Sequence, residues 1–265
     1  MLRFPLRLAA DLAKARIARI GRGDSAAPSV LLVRPVEQVH SSRFESSTFS
    51  AEAKAGTELL SFVRDSAAPV VWIGGPDPLL HPEMAQLTRC INGHGQHVFL
   101  ETDGALLRRR IHEFRPVSRL FLTVPLNGLE ESHDLRAARP GAFLNAVKAL
   151  QAARLCGFFT CIHARVHEDT HLDEIAALLA FGNTLDVDGF VISPAAPSSA
   201  NPRSASLQQK TAEAGKLIGN RWWQFFSRLA EPALNGARLS PQMESQTRSI
   251  LEGESDPREE GVKVA

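Results

Sequence analysis

Six short apolar segments, the first five each followed by a segment of helical periodicity, constrain the fold of this 265-residue chain more than any other feature. The predicted strands are residues 29–33, 69–73, 97–100, 119–124, 159–166 and 187–192. The predicted helices are residues 52–64, 82–91, 105–114, 142–155 and 172–181. Strands that alternate with helices indicate a parallel sheet with right-handed crossovers. We therefore predict an α/β fold, a partial TIM-like (β/α)6 barrel. An open doubly wound sheet is the alternative, and a seventh strand is predicted near residues 221–225.

Composition divides the chain into three segments. Residues 1–24 form a basic amphipathic N-terminal segment, residues 28–236 form the barrel, and residues 237–265 form a polar tail that we expect to be disordered. Apolar residues make up 44% of the chain, yet no run approaches the roughly 18–20 apolar residues of a membrane-spanning helix. The net charge of +1 gives no field that favours nucleic acid. We expect a cytoplasmic protein that does not bind nucleic acid.

Residues 2–20 carry apolar side chains at helical spacing, with Arg and Lys between them. The apolar positions are Leu2, Leu6, Ala9, Ala13, Ile17 and Ile20. Basic residues interrupt every apolar stretch, which is not typical of a cleaved signal peptide. Two interpretations remain: a surface helix that packs on the barrel, or a basic amphipathic helix that makes peripheral contact with the anionic inner membrane.

Turn-rich segments follow the predicted strands, at the edge where parallel α/β folds bind ligands. The first, GGPDPLLHP from Gly74, combines glycines that allow close approach of a ligand with prolines that stiffen the turn. The segments ETDG from Glu101, VPLNG from Val124 and VISP from Val191 lie at the ends of three later predicted strands. We predict that the ligand site lies at this edge.

Taken together and in this order, these segments resemble the radical S-adenosylmethionine superfamily. Its Gly-Gly-Glu-Pro loop is matched by GPDP at residues 75–78, and its Thr-Asn-Gly motif by TDG at residues 102–104. Its Ser-x-Asp-Gly motif is matched by PLNG at residues 125–128. The resemblance implies the partial barrel of the radical S-adenosylmethionine type and a site for S-adenosylmethionine. The cofactor-binding residues that it implies are Gly75, Asp77, Pro78, Thr102, Asp103 and Asn127.

Three longer stretches are similar to the adenosyl-hopene transferase family of hopanoid biosynthesis. They read APVVWIGGPDPLLHPEM, LDVDGFVISPA and GNRWWQFFSRLAEPALNG. This narrower resemblance extends to about residue 236. The aromatic group at residues 222–226 forms either a plug at the open barrel edge or an apolar wall for a lipid-like substrate.

The CxxxCxxC motif of the superfamily is missing from the chain. The resemblance places the cluster-binding loop within residues 37–50, which read EQVHSSRFESSTFS. The three cysteines, Cys90, Cys156 and Cys161, all lie elsewhere, and serine hydroxyls are poor substitutes for thiolates at iron. We predict no [4Fe–4S] cluster and no other metal site. S-adenosylmethionine stays a candidate cofactor with weakened or lost binding, because Pro76 removes one N–H from the loop.

Three hypotheses of function follow. The first is a degenerate radical S-adenosylmethionine-like protein, a pseudoenzyme or accessory protein that binds a lipid-like molecule or a protein partner. The second is an active enzyme of the superfamily that binds S-adenosylmethionine and acts on a lipid-like substrate, without a cluster or with a cluster from a partner. The third is an unrelated barrel enzyme with acid–base chemistry from Glu101, Asp103 or His133.

Some residues have two interpretations. Asp103 either contacts a ligand or caps the following predicted helix. His81 either lies at the mouth of a pocket or serves the entry of a helix. On a strand, Cys161, His163 and Arg165 share one face and would line the barrel if that face points inward.

Overall fold

The computed structural model describes residues 2–22, 28–40, 49–195 and 204–235. The strands in these ranges are β1 (Val30–Val33), β2 (Val36–His40), β3 (Phe49–Ala53), β4 (Val70–Ile73), β5 (His97–Glu101), β6 (Leu120–Leu126), β7 (Phe159–Val166) and β8 (Gly189–Pro194). The helices are α1 (Leu6–Arg22), α2 (Gly56–Ser66), α3 (Met84–Gly93), α4 (Leu107–Arg110), α5 (Glu130–Arg136), α6 (Ala142–Leu155), α7 (Leu172–Thr184), α8 (Ala205–Lys216) and α9 (Arg221–Leu234). The predicted tail, residues 237–265, lies outside the described residues, so the domain division stays a prediction.

Six strands form one parallel sheet in the order β1-β4-β5-β6-β7-β8. The sheet curls into a half-barrel, and α9 packs against both of its edge strands, β1 and β8. Strands β2 and β3 pair separately as an antiparallel hairpin. The predicted α/β partial (β/α)6 barrel is confirmed.

Alternation along the strands produces two apolar layers. Side chains such as Leu31 and Val71 point outward and pack with helices α2, α3 and α6. The rings of Trp72, Phe99 and Phe121 point inward and stack across neighbouring strands, with centroids 5.2 and 4.4 Å apart. Both faces of the sheet are therefore buried, which explains why its strands are nearly continuous apolar runs.

The predicted strands agree with the six sheet strands to within two residues, whereas the predicted seventh strand is wrong. Residues 221–225 lie in helix α9. The side-chain oxygen of Asn220 accepts hydrogen bonds from the backbone N–H groups of Trp222 (2.9 Å) and Trp223 (3.3 Å), and so caps the start of the helix. The helical period then buries Trp223 and exposes Trp222.

The hairpin β2–β3 occupies the segment where the superfamily resemblance places a cluster-binding loop. It also shortens the helix predicted from residue 52, which begins instead at Gly56. The reason is a hydrogen bond from the N–H of Lys54 to the carbonyl of Pro35 (2.9 Å), which extends the chain beside β2. Residues 41–48, which connect the two strands in sequence, lie outside the described residues.

Helix α1 packs on the barrel, as one interpretation predicts. The side chains that pack are not those of the apolar stripe noted in the sequence. Leu8 and Leu12 are buried in the inner core, and the N–H of Arg3 donates to the carbonyl just before β8 (3.0 Å). Of the predicted apolar positions, Leu2 is buried just before the helix, whereas Leu6 is 87% exposed and Ile17 is 70% exposed. None of the described helices is both long and apolar enough to cross a membrane.

Candidate functional site

The loop after β4 is held in place by Arg110 of helix α4. Its guanidinium donates to the carbonyls of Leu79, His81 (2.8 Å) and Pro82 (2.9 Å), and forms an ion pair with Glu113 (2.6 Å). The hydrogen bond to Glu113 raises the pKa of Arg110, so its charge is permanent. Sequence analysis did not identify this role, because no local pattern connects Arg110 with a loop about 30 residues earlier.

His81 serves the helix entry and is not a free group at a pocket mouth. Its ring is buried, and its Nδ1 accepts a hydrogen bond from the N–H of Glu83 (3.1 Å). Its Nε2 lies 2.8 Å from the carbonyl oxygen of Lys54. The neutral ring therefore donates from Nε2 and connects the loop to the segment before α2.

The glycine-rich loop places a buried carboxyl group at the end of β4. Gly75 has a φ of +102°, a conformation that favours glycine. The Oδ1 atom of Asp77 accepts a hydrogen bond from the N–H of Leu79 (3.0 Å) and so starts the short 3₁₀ turn that begins with Pro78. The Oδ2 atom is buried and has no hydrogen-bond partner among the described residues. Burial, together with the nearby Asp103 carboxylate, raises the pKa of Asp77 to about 6.

The next strand end supplies Thr102 and Asp103. The buried Thr102 hydroxyl accepts a hydrogen bond from the N–H two residues further on (3.2 Å). Asp103 accepts from the N–H of Ala105 (2.8 Å) and forms a half-exposed ion pair with Arg139 (3.0 Å). Helix α4 starts later than predicted, so Asp103 caps a turn and is not the N-cap of the helix.

Asn127 follows β6 and is fixed through its backbone. Its N–H donates to Nδ1 of the buried His133 (3.2 Å), and its carbonyl accepts from Arg136 (2.8 Å). Burial lowers the pKa of His133, which keeps its ring neutral near pH 7. The Oδ1 atom of Asn127 is buried without a hydrogen-bond partner among the described residues.

The structure places all six predicted site residues at the carboxyl ends of β4, β5 and β6. Asp103 lies close enough to Asp77 for its carboxylate to oppose the ionisation of Asp77. The unpartnered oxygens of Asp77 and Asn127 are buried acceptors, and such groups are stabilised when a ligand donates to them. This edge of the sheet therefore fits a polar ligand that carries N–H or O–H donors.

A second polar cluster lies inside the barrel and was only partly foreseen. Glu101 accepts hydrogen bonds from Trp72 Nε1 (3.0 Å) and His163 Nδ1 (2.7 Å), and forms an ion pair with Arg165. The Nε2 atom of His163 lies 2.8 Å from the hydroxyl of Ser193. Four strands thus contribute to one network, and the inward orientation of His163 and Arg165 is one of the two that the sequence allowed.

This network has the distances of a Ser–His–acid relay, but its geometry favours a bracing role. Ser193 is 1% exposed, so its hydroxyl does not reach a substrate in this conformation. Burial opposes ionisation of Glu101, yet His163 and Arg165 outweigh it and lower its pKa to about 2. Glu101 is therefore a permanent carboxylate that orients Arg165, whose head is partly exposed at the barrel mouth.

The cysteines do not form a thiolate site. Cys90 lies on α3, Cys156 is exposed just after α6, and Cys161 is buried in β7. Three irons of a [4Fe–4S] cluster need three thiolates at one place, so these positions do not fit that group. Among residues 2–22, 28–40, 49–195 and 204–235, no three His, Cys, Asp or Glu side chains are grouped to hold a metal ion.

The fold and the position of the candidate site define a class: an α/β half-barrel with a candidate polar ligand site at the carboxyl ends of its strands. No protein-family model matches the chain. A segment of 142 residues is 28% identical to the AdoMet-dependent heme synthase of Methanosarcina barkeri and covers 52% of this chain and 40% of that protein. The chain therefore spans less than half of this curated relative.

Solved structures agree with the fold. SuiB of Streptococcus suis matches with a TM-score of 0.56 at 14% identity, over 79% of this chain and 51% of SuiB. The structure of SuiB bound to S-adenosylmethionine matches equally well, with a TM-score of 0.56 at 15% identity, over 79% of this chain and 49% of SuiB. Together with the sequence match, these structures support a relationship to the radical S-adenosylmethionine superfamily and identify the fold as its partial barrel.

Proposed function

We propose that this chain is a degenerate relative of the radical S-adenosylmethionine enzymes that builds no [4Fe–4S] cluster of its own and acts as a binding or accessory protein. The placement of its cysteines carries the proposal. Reductive cleavage of S-adenosylmethionine needs a cluster, and a cluster needs thiolates in the loop after β1. None of the three cysteines lies in that segment.

The chemistry of the individual cysteines supports the same conclusion. Burial raises the pKa of the Cys161 thiol well above its ordinary range, so it stays protonated and is a poor iron ligand. Cys90 on α3 and Cys156 just after α6 belong to different parts of the fold, where each could offer at most one thiolate. The segment after β1 contains two paired antiparallel strands, Val36–His40 and Phe49–Ala53, which precede and follow residues 41–48 in the sequence.

The ligand that we infer is S-adenosylmethionine or a molecule of similar polarity. SuiB, which shares the fold, binds S-adenosylmethionine. The unpartnered Asp77 Oδ2 suits an ammonium group, and the unpartnered Asn127 Oδ1 suits a hydroxyl or amine donor. Pro76 cannot donate from its backbone, so we expect the binding to be weaker than in an intact glycine-rich loop.

The narrower family that we propose is that of adenosyl-hopene transferase from hopanoid biosynthesis. The stretches APVVWIGGPDPLLHPEM and GNRWWQFFSRLAEPALNG support it. They occupy the site loop with its strand β4 and the helix α9 that packs against both sheet edges. A cytoplasmic accessory protein that binds a lipid-like molecule or a protein partner is consistent with this relationship.

Anaerobic reconstitution with ferrous iron and sulfide should leave the purified chain essentially free of iron and without the visible absorption of a cluster. The reason is the lack of converging thiolates. Iron and acid-labile sulfide, measured per chain, provide the test. C156S is the control, because iron that disappears with this exposed thiol is adventitious. Stoichiometric cluster formation in both proteins would contradict the proposal.

Calorimetric titration with millimolar S-adenosylmethionine tests the ligand. We expect binding that Asp77→Asn weakens about 10–100-fold, because a hydrogen bond to a charged group is worth about 1.5–3 kcal/mol. Binding should also weaken below pH 6 or so, since the raised pKa of Asp77 means that its carboxylate is lost there. The control is Asp65→Asn at an exposed position near the end of α2. Equal affinity of both variants would place the ligand elsewhere.

A second candidate function is acid–base catalysis, and the raised pKa of Asp77 favours it. A carboxyl group with a pKa of about 6 exchanges protons near neutral pH, as a general acid or base must. Glu101, one of the residues that the sequence suggested, is less suited because its lowered pKa keeps it ionised. This function would not require S-adenosylmethionine, so the titration above separates the two candidates.

A further inference from the structure

Helix α1 carries two apolar stripes on nearly opposite faces. The inner stripe, with Leu8 and Leu12, belongs to the barrel core. The outer stripe repeats at intervals of four, three and four residues and stays exposed: Leu6, Ala10, Ala13 and Ile17. A helix that packs only on the barrel needs the first stripe but not the second.

An apolar groove of about 350 Å³ runs beside the outer stripe, between α1 and the start of α9. It is lined by Leu12, Ala13, Arg16, Arg221, Trp222 and Phe225. Trp222 is 48% exposed and stacks on Phe4, with ring centroids 5.6 Å apart. The Arg16 guanidinium lies 5.9 Å from the centre of the Phe225 ring. The aromatic group predicted at residues 222–226 therefore does not act as one unit, because some of its side chains are buried and others lie at the surface.

Positive charge surrounds this surface. Residues 2–22 contain six Lys or Arg and a single acid, Asp11. Asp11 faces inward, where it pairs with His97 (3.0 Å) and Arg119 (2.9 Å) at the amino ends of β5 and β6. Arg16 and Arg221 stay exposed beside the apolar stripe. Asp11 is neutralised within the fold and also pairs with Lys14 (3.8 Å), whereas the exposed guanidinium groups of Arg16 and Arg221 can face an anionic partner.

We propose that the outer face of α1 and the start of α9 dock on an anionic phospholipid bilayer. Exposed Leu and Ile side chains enter the acyl boundary, Trp222 occupies the interfacial level, and the basic side chains extend to lipid phosphates. A bilayer fits better than a protein partner because the exposed stripe is continuous and flanked by one sign of charge. The inference does not depend on the proposed function.

The position of this surface has a consequence for the site. The contacts of Asp11 place α1 at the amino ends of the strands, whereas the candidate ligand site lies at their carboxyl ends. Docking therefore leaves the mouth of the barrel open. The surface would hold the protein at the membrane without covering the site.

Co-sedimentation of the full chain with vesicles tests the proposal. We expect binding to vesicles of phosphatidylglycerol with phosphatidylcholine, and little binding to phosphatidylcholine alone. The double variant Leu6→Ser with Ile17→Ser should reduce the partition coefficient about tenfold or more, since both side chains lose their apolar contact with lipid. Arg16→Gln should reduce it about fivefold. The matched control is Leu135→Ser with Leu155→Ser, two equally exposed leucines on α5 and α6.

Fluorescence gives a second readout. Brominated lipids should quench the wild type, and Trp222→Phe should abolish the quenching, because Trp72 and Trp223 are buried. Equal sedimentation of the two double variants, binding that ignores lipid charge, or quenching that survives the loss of Trp222 would each overturn the proposal. Titration with S-adenosylmethionine on the same proteins keeps this outcome separate from that of the proposed function.

Discussion

Trp223→Ala should lower the free energy of unfolding by about 3–5 kcal/mol, the range for removing a large aromatic side chain from a core. Trp223 is 0% exposed, its ring lies edge-on to Phe4 with centroids 4.9 Å apart, and its Nε1 donates to the carbonyl of Arg3 (3.3 Å). A methyl group at Gly189 would come within 2.5 Å of the same ring, so little space is available for repacking. Urea unfolding followed by circular dichroism measures the effect.

Trp222→Ala is the matched control for this prediction. The same side chain is removed one position earlier, where it is about half exposed and stacks only at the surface. We expect a loss of less than about 1 kcal/mol. Similar losses for the two variants would mean that α9 does not insert Trp223 into the barrel as described.

Glu101→Gln should lower the free energy of unfolding by about 2–4 kcal/mol at neutral pH, because it removes the negative charge from a buried ion pair. The amide oxygen can still accept from Trp72, which keeps the loss below that of a complete truncation. His163 loses its anionic partner, while Arg165 is partly hydrated and contributes less. Glu131→Gln on the exposed start of α5 is the control and should change stability by less than about 0.5 kcal/mol.

The dependence of the free energy of unfolding on pH, measured in the acid range, tests the same contact. The pKa of Glu101 is about 2 in the folded chain and 4.5 ordinarily, so its contribution is complete above about pH 4.5 and is lost as the pH falls toward 2. The Glu101→Gln variant should lack this part of the pH dependence. A variant with an unchanged acid limb would show that Glu101 is not held as an ion pair.

Strand positions were predictable because each strand of a sheet buried on both faces is an apolar run between turn residues. The segment at residues 221–225, RWWQF, is rich in the aromatic residues that favour strands but forms a helix. Periodicity does not separate a short buried strand from a buried helix, and the Asn220 cap decides the outcome only once the chain has turned there. The sequence left the role of the apolar stripe on α1 open for a related reason: the helix has two apolar stripes, and only the packing on the barrel decides which one is buried.

The candidate site was predictable in part. Motif order placed Asp77, Asp103 and Asn127 at one edge of the sheet, and the structure has them there. Their electrostatics were not predictable, because the raised pKa of Asp77 depends on its burial and on the approach of Asp103. The role of Arg110 was also hidden, since it depends on carbonyl groups that converge only in the folded loop.

Local patterns in the sequence were sufficient for the order of strands and helices, the turns at the strand ends and the lack of cysteine in residues 37–50. Each of these is a property of neighbouring residues. By contrast, Glu101 contacts His163, which lies 62 positions away in the sequence, and Trp223 contacts Arg3, which lies 220 positions away. Such contacts arise only when the sheet curls and α9 closes against it, because no local pattern specifies which distant side chains share the barrel interior.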